Sequence, residues 1–272
     1  MATYPALDRF DFDVALLVAT HEDGVVSSDG DVERVLPWKS TTKLLTATAT
    51  LVAVEAGHLT LDESAGPEGS TVRHLLAHAS GLPMDAGGPS QAPGKRRVYS
   101  NLGFETLGEL VGSRVGAPIN EWVRAQVVEP LGLTSVVTEG SCAHGYSGST
   151  ADLLTYGFEL LDPALISAEL HAEATATVFP GLSGVLPGFG RQAHNDWGLG
   201  FEVRSDKDPH WTGPGVAPTT FGHFGQSGSF LWADPTRGAA AAFLGAKRFD
   251  TEVHGVIWPE LNEQVVAALD AR

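Results

Sequence analysis

Ser40 and Lys43 stand three residues apart in Trp38-Lys39-Ser40-Thr41-Thr42-Lys43, just ahead of the apolar run from Leu44 to Gly57. On a helix, positions i and i+3 share a face, so this spacing sets a hydroxyl beside an amine. A serine hydroxyl attacks a carbonyl only when a base takes its proton. A lysine one turn away can do so once burial and polar neighbours lower its pKa. The same residues also read as a Ser/Thr cap on an ordinary buried helix, so the rest of the chain must decide. Two further polar pairs bear on that choice: Tyr99 with Asn101, and His223 with Gly225. A tyrosine can move protons, and a glycine in a strand permits close approach of backbone to ligand. Asn101 could equally organise its own turn. His74 and His78 have the i,i+4 spacing of metal ligands. Leu75 stands where a hydrolytic zinc motif has its glutamate, and no third ligand is identifiable. Packing and helix-end hydrogen bonds are the expected uses of these rings, with no metal and no cofactor.

The elements that must position these groups follow from pattern. Phe12 to Ala19 and Val25 to Ser28 form a hairpin about His21-Glu22-Asp23-Gly24. Pro37 stops the chain short of Ser40, and a nucleophile at a helix start has its N–H aimed where an oxyanion needs a donor. Thr42 to Ala56 is apolar around most of its circumference, which predicts a central buried helix ending at Gly57. Further helices are expected from Ser70 or Thr71 to Ala79, Leu102 to Val115, Ile119 to Val128, Asp152 to Leu161 and Pro163 to about Ala174. Glycine-rich Phe179 to Asn195 reads as a loop and a wall of the substrate site. Strands are expected at Gly198–Val203, Phe221–Gly225, Ser229–Trp232 and Ala239–Leu244, with a terminal helix over Pro259–Ala268. The N-terminal hairpin and the C-terminal strands should join in one antiparallel sheet.

With 17 Lys and Arg against 33 Asp and Glu, the formal charge is -16 over 272 residues. That excludes nucleic acid and anionic membrane as expected partners, because both need a basic footprint. The acidic surplus reads as a solubility feature. Cys142 is the single cysteine, so no internal disulfide can form. Met1 to Phe12 carries aspartates and a proline, and no apolar stretch approaches about 18 residues. A soluble, cytoplasmic protein is the expectation. Length and composition fix no oligomeric state.

Taken in chain order, these elements resemble the serine β-lactamase and penicillin-binding-protein superfamily, above all its class C-like branch of esterases, D-amino-acid peptidases and transpeptidase relatives. The likeness runs from about residue 12 to 270. It includes Ser40 with Lys43, Glu55-Ala56-Gly57-His58-Leu59-Thr60-Leu61-Asp62, and Tyr99-Ser100-Asn101-Leu102-Gly103. Further on come Ser149-Thr150-Ala151-Asp152-Leu153, Trp197-Gly198-Leu199-Gly200-Phe201 and Gly222-His223-Phe224-Gly225. The resemblance implies an α/β chain of α+β type with a β-lactamase-like fold, its antiparallel sheet flanked by helices beside a mostly helical lobe. It implies one catalytic domain, with a sheet lobe of about 1–35 plus 195–272 and a helical lobe of 36–194.

By the same resemblance, Ser40 is the nucleophile and Lys43 its base. Tyr99 passes a proton to the leaving group, Asn101 binds the acyl side chain and holds Lys43, and the Ser40 and Gln226 N–H groups form the oxyanion hole. Gly225 allows the strand to approach. His223 stands where many members have lysine. Phe224 replaces the Thr or Ser of members that recognise a carboxylate, and phenylalanine cannot donate a hydrogen bond. Arg191, Arg204 or His223 could substitute as that contact. The expected activity is therefore hydrolysis of small or moderately apolar esters through an acyl-enzyme. Its rivals are a D-stereospecific peptidase or DD-carboxypeptidase, a β-lactamase, and a catalytically idle relative that binds an acyl compound or a partner protein. The expected partner is a small-molecule ester or amide.

Overall fold

The computed structural model describes residues 3–272. Val14–Thr20 (β1) and Gly24–Asp29 (β2) form the N-terminal hairpin. Leu36–Pro37 (β3) pairs with Ser147–Gly148 (β4), and Gly184–Leu186 (β5) with Gly190–Gln192 (β6). Glu202–Val203 (β7), Phe221–Gly225 (β8), Ser229–Asp234 (β9) and Ala239–Gly245 (β10) complete the main sheet. Its order is β2-β1-β10-β9-β8-β7, all neighbours antiparallel. The two ends of the chain thus build one sheet, as the strand pattern predicts.

The helices are Thr42–Glu55 (α1), Val72–Leu76 (α2), Asn101–Val115 (α3), Ile119–Val123 (α4), Thr150–Leu161 (α5), Ala168–Thr175 (α6) and His254–Asp270 (α7). Successive strand residues point to opposite faces, and both faces of this sheet are covered. Leu17, Leu231, Ala240 and Ala242 join the core built with α1, α3 and α5. Leu16, Phe230, Trp232 and Phe243 join a second core closed by Trp258 and Leu261 of α7. Strands with two covered faces read as continuous apolar runs, which is why Ala239 to Leu244 carries no polar alternation.

Every residue of α1 from Thr42 to Leu51 is buried. Its threonines are satisfied inside: Thr46 donates to the Cys142 carbonyl at 2.7 Å, Thr48 shares a 2.7 Å hydrogen bond with the Tyr156 hydroxyl, and Thr50 donates back to Thr46 O at 2.8 Å. Partnered in this way, buried hydroxyls carry little desolvation penalty.

Six segments depart from the sequence expectation. The helix expected to reach Ala79 stops at Leu76, and the one expected from Pro163 starts at Ala168. Phe179 to Asn195 is not all loop but holds the β5–β6 hairpin, whose glycines Gly188 and Gly190 adopt positive φ. Only Glu202–Val203 of the expected Gly198–Val203 strand is paired in a ladder. The Ile119 segment widens into a π turn over Arg124–Val128. Helix α7 starts at His254, ahead of Pro259, which lies inside it. Its start is fixed locally: His254 N donates to Asp250 O, and His254 Nδ1 accepts from Asp250 N at 3.0 Å. Among the described residues no helix is long and apolar enough to cross a membrane.

Candidate active site

The turn that carries Ser40 is held on both sides before α1 begins. On one side, Trp38 N donates to Tyr146 O at 2.9 Å and Trp38 Nε1 to Gly148 O at 3.1 Å. On the other, Ser229 Oγ of β9 donates to Trp38 O at 2.8 Å and lies 2.9 Å from Thr41 Oγ1. Between these anchors Lys39 adopts φ 50°, a left-handed conformation that costs a non-glycine residue roughly 1–2 kcal/mol. The strain is borne by this network and turns Ser40, within the short 3-10 turn Lys39–Thr41, onto the floor of a cavity of about 440 Å³. Asn101, His144 and Gln226 also line that cavity.

Lys43 sits one turn further on with its side chain completely buried. Its Nζ donates to Asn101 Oδ1 at 2.6 Å and to the Ala143 carbonyl at 2.8 Å, and lies 4.8 Å from the centre of the Tyr99 ring. Burial lowers its pKa to about 7, against the opposing pull of Glu105 and Asp85. Asn101 is itself oriented, because its Nδ2 donates to Asp85 Oδ1 at 2.7 Å. Ser100 caps α3 by accepting from Gly103 N at 2.8 Å, and donates to Pro83 O. This cap fixes the residues on either side of it, Tyr99 and Asn101.

Tyr99 lies between Ser40 and His223. Burial raises the pKa of its phenol, while the neighbouring Ser40 side chain opposes that rise. Its hydroxyl is 2.9 Å from His223 Nε2. His78, at φ 53°, packs its ring 4.6 Å from that of Tyr99 and accepts from Ser100 N at 3.2 Å. His74 instead bonds Thr71 at 2.9 Å and stacks on Phe179. The two histidines thus share no face, because the helix ends before the second.

On β8, His223 faces the site and Phe224 does not. The Phe224 ring is buried among Phe189, Trp211, Phe249 and Trp258. A Cβ built on Gly225 would fall 3.2 Å from Ser40 N, so this strand runs directly against the serine turn and brings Gln226 to the cavity wall. The structure therefore brings Ser40, Lys43, Tyr99, Asn101, His223, Gly225 and Gln226 together.

Arg191 and Arg204 are elsewhere. The Arg204 guanidinium is bonded to Gly213 O and Ser205 O, and Arg191 is exposed on β6. Among the described residues, the cations that do line the cavity are Lys39, Lys247 and Arg248, and no carboxylate lines it. Sequence reasoning also misses the Ala143 carbonyl and a buried cluster behind His223 made of Glu202, Lys207 and His210. Glu202 directly follows the Trp197-Gly198-Leu199-Gly200-Phe201 landmark, which was the one available signal.

This arrangement, a serine at a helix start on a sheet of N- and C-terminal strands with a lysine and a tyrosine behind it, defines a β-lactamase-like chain. Residues 15–265 match the Beta-lactamase family, and the chain belongs to it, a family of serine hydrolases. A β-lactamase from Mycobacterium bovis is 44% identical in sequence, with a TM-score of 0.94 over 97% of this chain and 98% of that one. An Escherichia coli K12 protein provisionally named D-alanyl-D-alanine carboxypeptidase is 22% identical over 65% of this chain and 56% of its own. The chain spans about half the length of the curated relatives it matches. EstCE1, a hydrolase with promiscuous acyltransferase activity, shares the fold at a TM-score of 0.76 and 16% identity, over 96% of this chain and 95% of that one.

Proposed function

We propose that this protein hydrolyses small or moderately apolar carboxylic esters through an acyl-enzyme at Ser40. The observation that carries the reading is Lys43, a fully buried lysine brought to about 7 one turn from a serine on a cavity floor. At that value a large share is neutral near pH 7, as a base must be. Lys43 and Tyr99 share the acid–base work. Ser40 Oγ attacks the ester carbonyl while the Ser40 and Gln226 N–H groups receive the oxyanion. The alcohol leaves with a proton, and water then releases the acid. Beyond Tyr99 lies a trough whose apolar side is Met84, Val98, Val185 and Pro187, with Met84 and Val185 exposed, and whose polar side is Ser90, Gln91 and Arg96. It suits the apolar part of an ester.

A second reading, a β-lactam or D-peptide substrate, is favoured by the cationic mouth at Lys39 and Arg248 and by the name of the M. bovis relative. Both readings are tested by exposing the protein and a Ser40→Ala variant to a fluorophosphonate, a short-chain nitrophenyl ester, a penicillin and a D-alanyl-D-alanine peptide. Adduct mass at Ser40 and faster ester turnover are expected. No adduct with any reagent would leave an idle binding relative, and faster penicillin or peptide turnover would replace the esterase reading with the second.

A further inference from the structure

Glu202 of β7 has a side chain with 0% exposure, and its Oε2 lies 3.7 Å from His223 Nδ1. That nitrogen is buried and, among the described residues, has no hydrogen-bond partner, whereas His223 Nε2 is 2.9 Å from the Tyr99 hydroxyl. The carboxylate is held rigidly. Its Oε1 accepts from His210 Nε2 at 2.9 Å and faces Lys207 Nζ at 3.6 Å, and its Oε2 accepts from Trp211 Nε1 at 3.2 Å. Lys207 is in turn fixed by the carbonyls of Asp196 and Val203. Burial works against the Glu202 charge, but Lys207, His210 and His223 outweigh it and hold its pKa well below the usual carboxylate range.

The groups around the His223 ring are Tyr99 ahead of α3, Lys43 on α1, His78 after α2 and Glu202 on β7. Trp197 precedes β7, and Lys207 and His210 follow it. A neutral imidazole carries one N–H. With the proton on Nε2, the Nδ1 lone pair would face a buried carboxylate across 3.7 Å, like against like in a low dielectric. With the proton on Nδ1, the N–H dipole faces that charge and Nε2 is left to accept from Tyr99. The Tyr99 oxygen then has lone pairs for the Ser40 hydroxyl, while Lys43 Nζ donates to Asn101 and Ala143.

We propose that Glu202 is a positioning residue: it holds the His223 proton on Nδ1, so that Nε2 receives, through Tyr99, the proton Ser40 releases on attack. The proposal rests on the hydrolase reading above and divides its acid–base work: the Ser40 proton leaves through Tyr99 to His223 during acylation, and neutral Lys43 is left as the base for the water that releases the acid. As the Ser40 Oγ–C bond forms, the Ser40 O–H breaks and its proton passes to Tyr99 Oη. The Tyr99 proton passes to His223 Nε2, and the carbonyl π pair moves onto the oxyanion. On collapse that pair reforms the carbonyl, the leaving C–O bond breaks, and the proton returns through Tyr99 to the departing alkoxide. Glu202 stabilises the transient imidazolium in the way a buried carboxylate serves a catalytic histidine.

Two measurements test this. Side-chain 15N NMR of the wild-type protein, with His223 assigned by its loss in a His223→Gln variant, should show the neutral Nδ1–H form at pH 7. The Nε2–H form would overturn the proposal. The second measurement is the pH profile of kcat/KM on the nitrophenyl ester for Glu202→Gln and for the charge-neutral pair Glu202→Gln with Lys207→Met, which spares Lys207 an uncompensated burial. Without the carboxylate the imidazole is a weaker base. The acid limb should therefore move to lower pH and kcat should fall about 10²-fold with KM within about twofold. A limb that stays put would track Lys43, whose pKa is set by burial with Glu105 and Asp85, and would overturn the relay. Fluorophosphonate labelling separates the layers. A wild-type protein that takes no adduct removes the hydrolase reading and the relay's chemistry with it, whereas labelling with an unmoved limb removes the relay alone.

Discussion

A Cβ placed on Gly225 would lie 2.1 Å from the carbonyl oxygen of Trp38, closer than any side chain can sit. The strand that supplies one wall of the cavity thus touches the backbone of the serine turn, and its approach is set by the missing side chain. Gly225→Ala must push β8 and the turn apart. We expect about a 10²-fold loss of kcat/KM, since a displacement of about 1 Å at a reacting centre has that effect, and a loss of about 1–3 kcal/mol of stability from overpacking. Steady-state kinetics and urea unfolding measure the two, and wild-type turnover by the alanine variant would contradict the close-approach argument.

The chemistry-bearing positions were legible because each sits in a short local pattern: serine and lysine one helical turn apart, tyrosine and asparagine about a capping serine, histidine and glycine on one strand. The architecture was legible for a similar reason. The runs Val14–Thr20 and Ala239–Gly245 are too apolar for anything but an inner strand, and α1 is too apolar for a surface helix. What escaped depends on distant partners. Nothing local marks Glu202 as buried, since its charge is tolerable there only through Lys207, His210 and Trp211. The Ala143 carbonyl that holds Lys43 has no side-chain signature. Proline at 259 suggested a helix start, yet the Asp250–His254 hydrogen bonds set the start earlier. Phe224 shows the limit from another side. Its missing hydroxyl was readable, but the direction of its ring, into the aromatic core, was not.

Lys43 should be costly to the fold that contains it. A pKa lowered from 10.5 to about 7 by burial corresponds to about 5 kcal/mol against the charged form. Lys43→Met should therefore lose ester turnover and gain stability. The gain is reduced by about 1–3 kcal/mol for the Ala143 carbonyl and Asn101 Oδ1 left without their donor. The sign with pH follows from the lowered value. Below about 7 the wild-type lysine is protonated folded and unfolded, so the penalty is full. It fades as pH climbs from there toward 10.5, where neither state is charged. Unfolding curves of both proteins across this range should converge upward, and a constant gap would show that Lys43 does not titrate in the folded protein.

Charge at the cavity mouth gives the last prediction. Among the described residues, Lys247 is paired with Asp11 at 2.9 Å, while Lys39 and Arg248 are exposed and make no salt bridge. In a chain of net charge -16, two unpaired cations beside Ser40 form a local field that attracts anions against the general repulsion of the surface. The double reversal Lys39→Glu with Arg248→Glu should lower kcat/KM for an anionic substrate, such as a penicillin or a succinate half-ester, about tenfold at low salt. An uncharged acetate ester should change by no more than about twofold. The difference should shrink above about 0.1 M salt, where the Debye length falls to about 10 Å. Equal losses on both substrates would mean that the variant has damaged the serine turn, and equal retention would mean that these cations do not meet the substrate. A selective loss would strengthen the β-lactam or D-peptide reading, because the carboxylate contact that neither Arg191 nor Arg204 supplies would then come from the rim itself.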